Sequence, residues 1–224
     1  TVDIIPSAYD MPAVFQELMQ KAMARGVADA QLRVWTPQGA QILFIRQVSP
    51  TVEDLTQRGG AVNPLTMAFP TGSWGDESRD YHVAIRLPAK SVGQEQLAAR
   101  VQLAIGPDVL TQGLVKARWS NDPSLTARIS PEVAHYTGQT ELASAIQEGL
   151  AAKAAGDDRT ATTKLGRAIQ LAQQTGNDEA TSKLRKVVEV EDAATGTVRL
   201  KRGVDKADEM ALDTASTKTT RIRG

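Results

Sequence analysis

Residues 81–87 read Tyr81-His82-Val83-Ala84-Ile85-Arg86-Leu87, and this stretch decides the fold class of the central region. Its apolar residues recur at every second position, so they lie on one face of an extended strand. The same period of two returns in residues 100–105, 114–119 and 125–129, and shorter apolar runs cover residues 32–35 and 42–48. Many short strands separated by turn residues predict an antiparallel β-sandwich over residues 29–129.

Helical periodicity replaces the strand pattern after Ser130-Pro131, where a capping residue precedes a proline at the first helical position. Apolar residues then recur every three or four positions, and Gly156-Asp157 and Thr175-Gly176 interrupt them. The pattern predicts a helical bundle over residues 131–190. Within it, residues 149–177 resemble a tetratricopeptide-type helical hairpin, although only one such unit is visible.

The two ends of the chain differ from these regions. Residues 1–26 predict a short strand and a helix, which are too small to enclose a core, so we expect them to be the last βα unit of a larger sheet. Because the chain starts with Thr1 rather than Met, we also expect it to be a piece of a longer protein. Residues 191–224 are polar, which predicts an extended, mobile tail with one short strand over residues 198–200.

The composition argues against several classes of function. The 224 residues include 26 basic and 26 acidic side chains, and this balance argues against nucleic-acid binding. The absence of cysteine excludes disulfides, thiolate nucleophiles and cysteine-based metal sites. It also permits a cytoplasmic location, which we favour. No apolar run is long enough to insert into a membrane as a helix. His82 and His135 have no identifiable catalytic partner, so we expect no enzymatic activity.

Two polar stretches match metal-binding patterns incompletely. Asp122, Ser124 and Thr126 have the D-x-S-x-T order of a metal-ion-dependent adhesion site, but strand-like residues flank them and Asn-Asp-Pro is ordinary turn chemistry. The second stretch contains Asp76, Glu77 and Asp80. Its spacing matches no defined calcium loop, so we expect no metal ligand and no catalytic residue in either stretch. An unrecognised hydrolase that uses the acidic trio stays open as an alternative.

Two further stretches are candidates for partner binding. Trp74 could be an exposed anchor for a partner, or it could fold over the edge of the sandwich. Near the end of the chain, Thr217 and Thr219 lie among basic residues, and Ile222 stands three residues after Thr219. A phosphothreonine followed at that distance by an aliphatic residue resembles the ligand of forkhead-associated domains. The alternative is a solvated basic tail.

Three stretches resemble the C-terminal half of bacterial von Willebrand factor A (VWA) domain proteins. Residues 4–23, with Asp10-Met11-Pro12, look like the last strand and helix of the VWA fold. Residues 72–83 look like a strand of the sandwich that follows such domains, and residues 192–200 with 205–210 look like the tail of the same group. The resemblance implies an α+β architecture: an α/β remnant over 1–26, then the sandwich, the bundle and the tail.

The resemblance also implies a role in binding protein partners. The family's Mg²⁺ or Ca²⁺ ligands sit on an N-terminal half that this chain lacks, so no metal ligand is carried over to any position here. We therefore expect a non-enzymatic protein-interaction module, with regulation through phosphorylation of the tail. A passive structural or cell-surface sandwich is the alternative, and the unrecognised hydrolase is a third interpretation.

Overall fold

The computed structural model describes residues 26–126, 129–219 and 221, and these residues form two compact units. The sandwich unit contains the described residues up to Ile129 except residues 48–52. The helical unit contains residues 48–52 together with the described residues from Ser130 onward. The strand and helix predicted over residues 1–26 lie outside the described residues, apart from Gly26.

The sandwich unit is built from two antiparallel sheets. Its strands are β1 (Val27–Trp35), β2 (Gln41–Ser49), β3 (Glu53–Asp54), β4 (Gly60–Asn63), β5 (Thr66–Trp74), β6 (Asp80–Arg86), β7 (Glu95–Ile105) and β8 (Asp108–Arg118). One sheet has the order β4-β5-β1-β7-β8 and the other has the order β3-β2-β6. The last two residues of β2 belong to the helical unit.

The core of the sandwich comes from one face of each sheet, as the period of two predicts. β1 pairs with β7 so that Leu32 lies opposite Leu103 and Val34 lies opposite Val101. Buried side chains of the larger sheet, among them Phe69, pack with Ile45 of the smaller sheet. The predicted antiparallel sandwich is confirmed, because apolar side chains of both sheets form one cluster.

The structure differs from the prediction at the end of the sandwich region. Residues 125–129 were expected to continue the strand pattern, but a short helix, α1 (Pro123–Thr126), occupies the first part of this stretch. The Asp122 carboxylate accepts a hydrogen bond from the Ser124 amide at 2.8 Å, and the proline at the first helical position has no amide hydrogen to satisfy. In residues 123–126 this local capping outweighs the strand alternation, whereas residues 127–128 lie outside the described residues.

The predicted helical region contains three helices, each started by a capping side chain. They are α2 (Pro131–Ala154), α3 (Asp158–Gln174) and α4 (Asp178–Val187). The caps are Ser130, Asp157 and Asn177, and each side chain accepts an amide hydrogen bond from the first turn of its helix. Leu142, Ile146, Leu165, Ile169 and Leu184 are fully buried and form the centre of the core.

The predicted extended tail is largely folded. The structure places a hairpin of β9 (Val188–Asp192) and β10 (Thr197–Leu200) and a helix, α5 (Lys206–Ser216), in residues 188–216. Val198 and Leu212 are buried in the helical core. The tail therefore forms an ordered layer, because even a polar segment folds when its few apolar residues find a core to join.

Candidate interaction sites

The end of α5 leads into a segment that pairs with the chain near Pro50. The Val52 amide donates to the Thr217 carbonyl at 2.6 Å, and the Thr219 amide donates to the Pro50 carbonyl at 2.9 Å. Between these two bonds Lys218 forms an antiparallel bridge with Thr51. We name residues 217–219 together with residues 48–52 the C-terminal clasp. Both of its halves lie in the helical unit.

Side chains from α4 reinforce the clasp. Asn177 caps α4 through its Oδ1 atom and donates from Nδ2 to the Lys218 carbonyl at 3.4 Å. The Lys218 ammonium lies 3.7 Å from the Glu179 carboxylate. The pKa of Glu179 is lowered, chiefly by its hydrogen bond from Lys183 and also by Lys218. The carboxylate is therefore ionised near neutral pH and available to attract Lys218.

The structure places the predicted phosphorylation residues in this clasp. Thr219 is half-buried, and its hydroxyl donates to the Val48 carbonyl at 2.7 Å. The Thr217 hydroxyl instead donates to the Thr214 carbonyl of its own helix at 3.2 Å. Ile222 lies outside the described residues. The two threonines thus differ: the Thr219 hydroxyl joins distant parts of the chain, whereas the Thr217 hydroxyl makes only a local contact.

Trp74, the predicted anchor, is half-buried at the end of β5. Its indole Nε1 donates to the Thr71 hydroxyl at 2.9 Å, and its ring stacks on Tyr81 with a centroid distance of 6.5 Å. The Arg79 guanidinium lies 4.6 Å from the centroid of the indole ring. Trp74 therefore contacts its own turn on several sides, which matches the interpretation of a tryptophan folded over the edge.

Arg79 holds this turn together. Its guanidinium donates to the carbonyls of Thr71 at 2.5 Å and Ser73 at 2.7 Å, and it also binds Glu77. Burial by itself would lower the pKa of Arg79, but hydrogen bonds with Glu77 and Tyr81 outweigh it and raise the pKa. The residue is a permanent cation that closes the turn.

One acidic residue in each of the two incomplete metal motifs serves local structure. Glu77 pairs with Arg79, and Asp122 accepts hydrogen bonds from Ser124, which lower the pKa of the Asp122 carboxyl. Among the residues that the structure describes, no three His, Asp or Glu side chains come together as a metal-binding group. His82 is half-buried, and burial lowers the pKa of its imidazole against an opposing effect of Asp80.

One open cleft of about 480 Å³ lies beside the turn between β1 and β2. Thr36, Pro37, Gln38, Gly39, Ala40, Pro64 and Leu65 line it. None of these residues carries a titratable side chain, so the cleft offers no general acid or base.

Within the described parts of the chain, no helix is long and apolar enough to cross a membrane.

β8 is a feature whose role the sequence pattern did not reveal. Alternation in residues 114–119 predicts a strand, and the structure confirms a strand there, but it places β8 at the edge of the five-stranded sheet. Its residues are exposed except for the half-buried Ala117. Alternation cannot distinguish an edge strand from a central one, because both have the same period. The absence of charge from Val109 to Val115 is the signal that could have drawn attention to it.

Comparisons with known proteins agree with this architecture. The family profile described as the von Willebrand factor type A C-terminal domain matches residues 170–216, which cover the end of α3 and the whole of α4, the β9–β10 hairpin and α5. A solved structure of von Willebrand factor type A from Catenulispora acidiphila superposes with a TM-score of 0.92 at 48% sequence identity. No curated protein matches the chain.

The structural match covers very different shares of the two chains. It covers 99% of this chain but only 53% of the solved chain, so this chain spans about half the length of that relative. The similarity therefore extends over both the sandwich unit and the helical unit. At 48% identity it reflects common ancestry as well as a common fold, and the chain is related to the von Willebrand factor type A proteins, with their C-terminal domain profile matching residues 170–216.

Proposed function

We propose that this chain is a non-enzymatic protein-interaction module, the C-terminal part of a bacterial VWA-type partner-binding protein, and that phosphorylation of Thr219 regulates it. VWA-type domains commonly mediate protein interactions, which supports the general role. The observation that carries the regulatory part is the 2.7 Å hydrogen bond from the Thr219 hydroxyl to the Val48 carbonyl. Through this bond the predicted phosphorylation residue joins the two halves of the clasp.

A phosphate on Thr219 is incompatible with that bond. Esterification removes the hydroxyl hydrogen that Val48 accepts, and it brings about −1.5 to −2 charges next to a carbonyl oxygen. The clasp would open, and residue 219 with its phosphate would become accessible. A forkhead-associated domain could then bind the phosphate through its arginine and hydroxyl groups and Ile222 through an apolar pocket. We place the module in the cytoplasm, where ATP is available to a kinase.

The experiment uses the full chain with phosphothreonine incorporated at position 219 during translation. Calorimetry measures its binding to a forkhead-associated domain that prefers an aliphatic residue three positions after phosphothreonine. We expect binding by this form and none by the unmodified chain. Phosphothreonine at position 217 is the matched control, because Thr220 rather than an aliphatic residue then occupies the third position.

Either of two binding results would count against the proposal. If the chain phosphorylated at Thr219 does not bind, or if the form phosphorylated at Thr217 binds equally well, Thr219 and Ile222 do not form the recognition pair. Hydrogen exchange at the Val52 amide is measured in parallel, because that amide donates to Thr217 and exchanges faster when the clasp opens. If phosphorylation leaves the exchange rate of the Val52 amide unchanged, the clasp has not opened and has no regulatory role.

Metal dependence is proposed only for the longer protein. This proposal is supported by the described residues, among which Asp122 accepts a hydrogen bond from the amide of its own turn and no three His, Asp or Glu side chains come together. We propose that Mg²⁺- or Ca²⁺-dependent capture of a partner belongs to the half that this chain lacks. Neither ion should then shift the thermal unfolding of this chain, and a shift that EDTA reverses would contradict this assignment.

A further inference from the structure

The five-stranded sheet packs one face on the sandwich core, and its other face lies outside that core. Leu32 and Val34 of β1 belong to the core, so the alternating residues Arg33 and Trp35 lie on the outer face. The pairing of the strands continues this face across β7 and β8. We name its central part the outer patch, and its residues are Arg33, Trp35, Arg100, Gln102, Leu114 and Lys116.

Cross-strand neighbours order the side chains of the outer patch. Trp35 lies opposite Arg100, and Arg100 lies opposite Leu114. The Arg100 guanidinium is 5.9 Å from the centroid of the Trp35 ring. In the adjoining row the Gln102 side-chain amide donates to Gln112 at 3.2 Å. Trp and Arg are enriched at the energetic centres of protein interfaces, and Leu114, which is 57% exposed, adds apolar area beside them.

The positive charge of the outer patch is not neutralised. The guanidinium of Arg33 donates to carbonyls of the β7–β8 turn, which accept hydrogen bonds but bring no negative charge. Arg100 lies against an aromatic ring, and Lys116 is exposed. In the described part of the chain none of these three cations pairs with a carboxylate, whereas Arg118 at the end of β8 pairs with Glu95. An anionic occupant therefore gains attraction without displacing an ion pair.

Two features favour an acidic polypeptide over a nucleic acid as this occupant. Trp35 is the single aromatic residue of the outer patch, whereas single-stranded nucleic acids are held by several aromatic rings on which successive bases stack. The balance of 26 basic and 26 acidic residues in the whole chain also differs from that of a nucleic-acid binder. A polypeptide can instead place carboxylates beside the cations and an apolar side chain on Leu114.

We propose that the outer patch binds an acidic segment of a protein partner. Carboxylates of the segment pair with Arg100 and Lys116, the charge of Arg33 adds to the attraction, and an apolar side chain covers Trp35 and Leu114. This assignment deepens the proposed interaction role, because it names a binding surface and the chemistry of its partner. The cations are accessible to solvent and are screened by salt, so we expect a weak association that high salt dissociates.

A nuclear magnetic resonance titration of the unmodified full chain tests the proposal. The probe is a short synthetic peptide in which glutamates surround a central leucine, and the control peptide has glutamine in place of each glutamate. Three tryptophans give three indole N–H signals, and Trp35→Phe identifies the signal from the outer patch. We expect the acidic peptide to shift the Trp35 signal to saturation and to leave those of Trp74 and Trp119 in place. The control peptide should cause no shift.

Charge reversal locates the binding surface. Arg100→Glu and Lys116→Glu should each weaken the binding about tenfold, because repulsion between like charges replaces an attraction. Arg86→Glu is the matched control, since it makes the same change of charge at an exposed residue of β6, in the smaller sheet. It should leave the affinity unchanged. Circular dichroism verifies that each variant is folded.

Three results would overturn the proposal. One is an acidic peptide that shifts the Trp35 signal no more than the glutamine peptide does. The second is an equal loss of affinity in Arg100→Glu and Arg86→Glu, which would indicate a general attraction to the charge of the chain. The third is a single-stranded oligothymidylate that binds the outer patch more tightly than the peptide, which would assign the surface to nucleic acid. The chain carries no phosphate in these titrations, so none of the three results bears on the role of Thr219.

Discussion

Thr219 illustrates how a single hydroxyl can organise a segment of chain. Its bond to the Val48 carbonyl joins residues 171 positions apart, whereas the other bonds of the clasp come from main-chain amides and from Asn177. We expect Thr219→Val to lower the free energy of unfolding by about 1 kcal/mol, because the shape is kept and one hydrogen bond is lost. Urea unfolding followed by circular dichroism measures this change.

Thr163 is the matched control for that substitution. It is exposed, and its hydroxyl donates only to the Arg159 carbonyl of its own helix at 3.0 Å. Thr163→Val should therefore change the stability by less than about 0.5 kcal/mol, as is usual for surface positions. Equal losses of unfolding free energy in the two variants would mean that the Thr219 bond stabilises the chain no more than a local bond on an exposed helix does.

Arg79 is a second side chain whose contacts predict the effect of a single substitution. Arg79→Lys keeps the charge but cannot donate to the Thr71 and Ser73 carbonyls together while it lies against the Trp74 ring. We expect a loss of about 1–3 kcal/mol and a red shift of tryptophan emission as the indole gains solvent. Arg58→Lys is the control, since its pair with Glu53 is exposed. An unchanged emission spectrum in Arg79→Lys would contradict the contact.

Helix α3 packs against the β9–β10 hairpin through a pair of glycines. A Cβ on Gly166 would overlap the carbonyl oxygen of Gly196, which has a φ of +71°. Gly166 therefore lies directly against the turn of this hairpin. Gly166→Ala should thus lower the stability by about 2 kcal/mol, although alanine favours a helix over glycine by about 1 kcal/mol.

Gly138 in α2 is the comparison for Gly166. A Cβ there would meet only the Thr175 methyl group, at 2.9 Å, and a side chain yields more readily than backbone. Gly138→Ala should therefore cost clearly less than Gly166→Ala in thermal unfolding. A Gly166→Ala variant as stable as the parent would show that the hairpin moves aside without cost.

The capping residue of α3, Asp157, predicts how the stability of the helical unit changes at acidic pH. Hydrogen bonds from Thr160, through its hydroxyl and its amide, lower the pKa of the exposed Asp157 carboxyl from 3.8. The folded state thus prefers the carboxylate, so this stabilisation is complete above 3.8 and disappears as the pH falls through the lowered value. Asp157→Asn retains a capping oxygen but does not titrate. Its unfolding midpoint should fall less on acidification than that of the parent chain, and parallel curves would contradict this.

Elements with strong periodicity were the predictable part of the fold. The strand at Val83 and the helices around Ile146 and Ile169 follow from the spacing of large apolar residues. Helix α5 was missed because Leu212 is its single large buried residue, and the small residues Ala215 and Ser216 complete the buried face. The clasp could not be predicted either, since a pairing between residues as distant as Val48 and Thr219 leaves no local pattern.

At the scale of the whole molecule, each unit encloses its own apolar core. Trp35, Trp74 and Trp119 all belong to the sandwich unit, whereas helices α2–α5 belong to the helical unit. Tryptophan fluorescence and far-UV circular dichroism therefore report on different units. We expect the two signals to give distinct unfolding midpoints.

Core truncations test this separation. Leu165→Ala should destabilise the helical unit by about 2–5 kcal/mol, and Phe69→Ala should destabilise the sandwich unit by about 3–5 kcal/mol. Each variant should shift mainly the signal of its own unit. If both signals move together in both variants, the two cores unfold as one cooperative system.

The clasp also imposes an order on how the protein folds during translation. Residues 48–52 leave the ribosome early, but Thr219, which satisfies the Val48 carbonyl, is added 171 residues later. At roughly 5–20 residues per second, the early segment waits on the order of 10–30 s for its partner. All strands of the sandwich unit can pair during that interval, whereas the helical unit is completed only when translation has passed Thr219. Messages that end prematurely would thus yield chains with an intact sandwich and an open clasp, a difference that a cellular protease can detect.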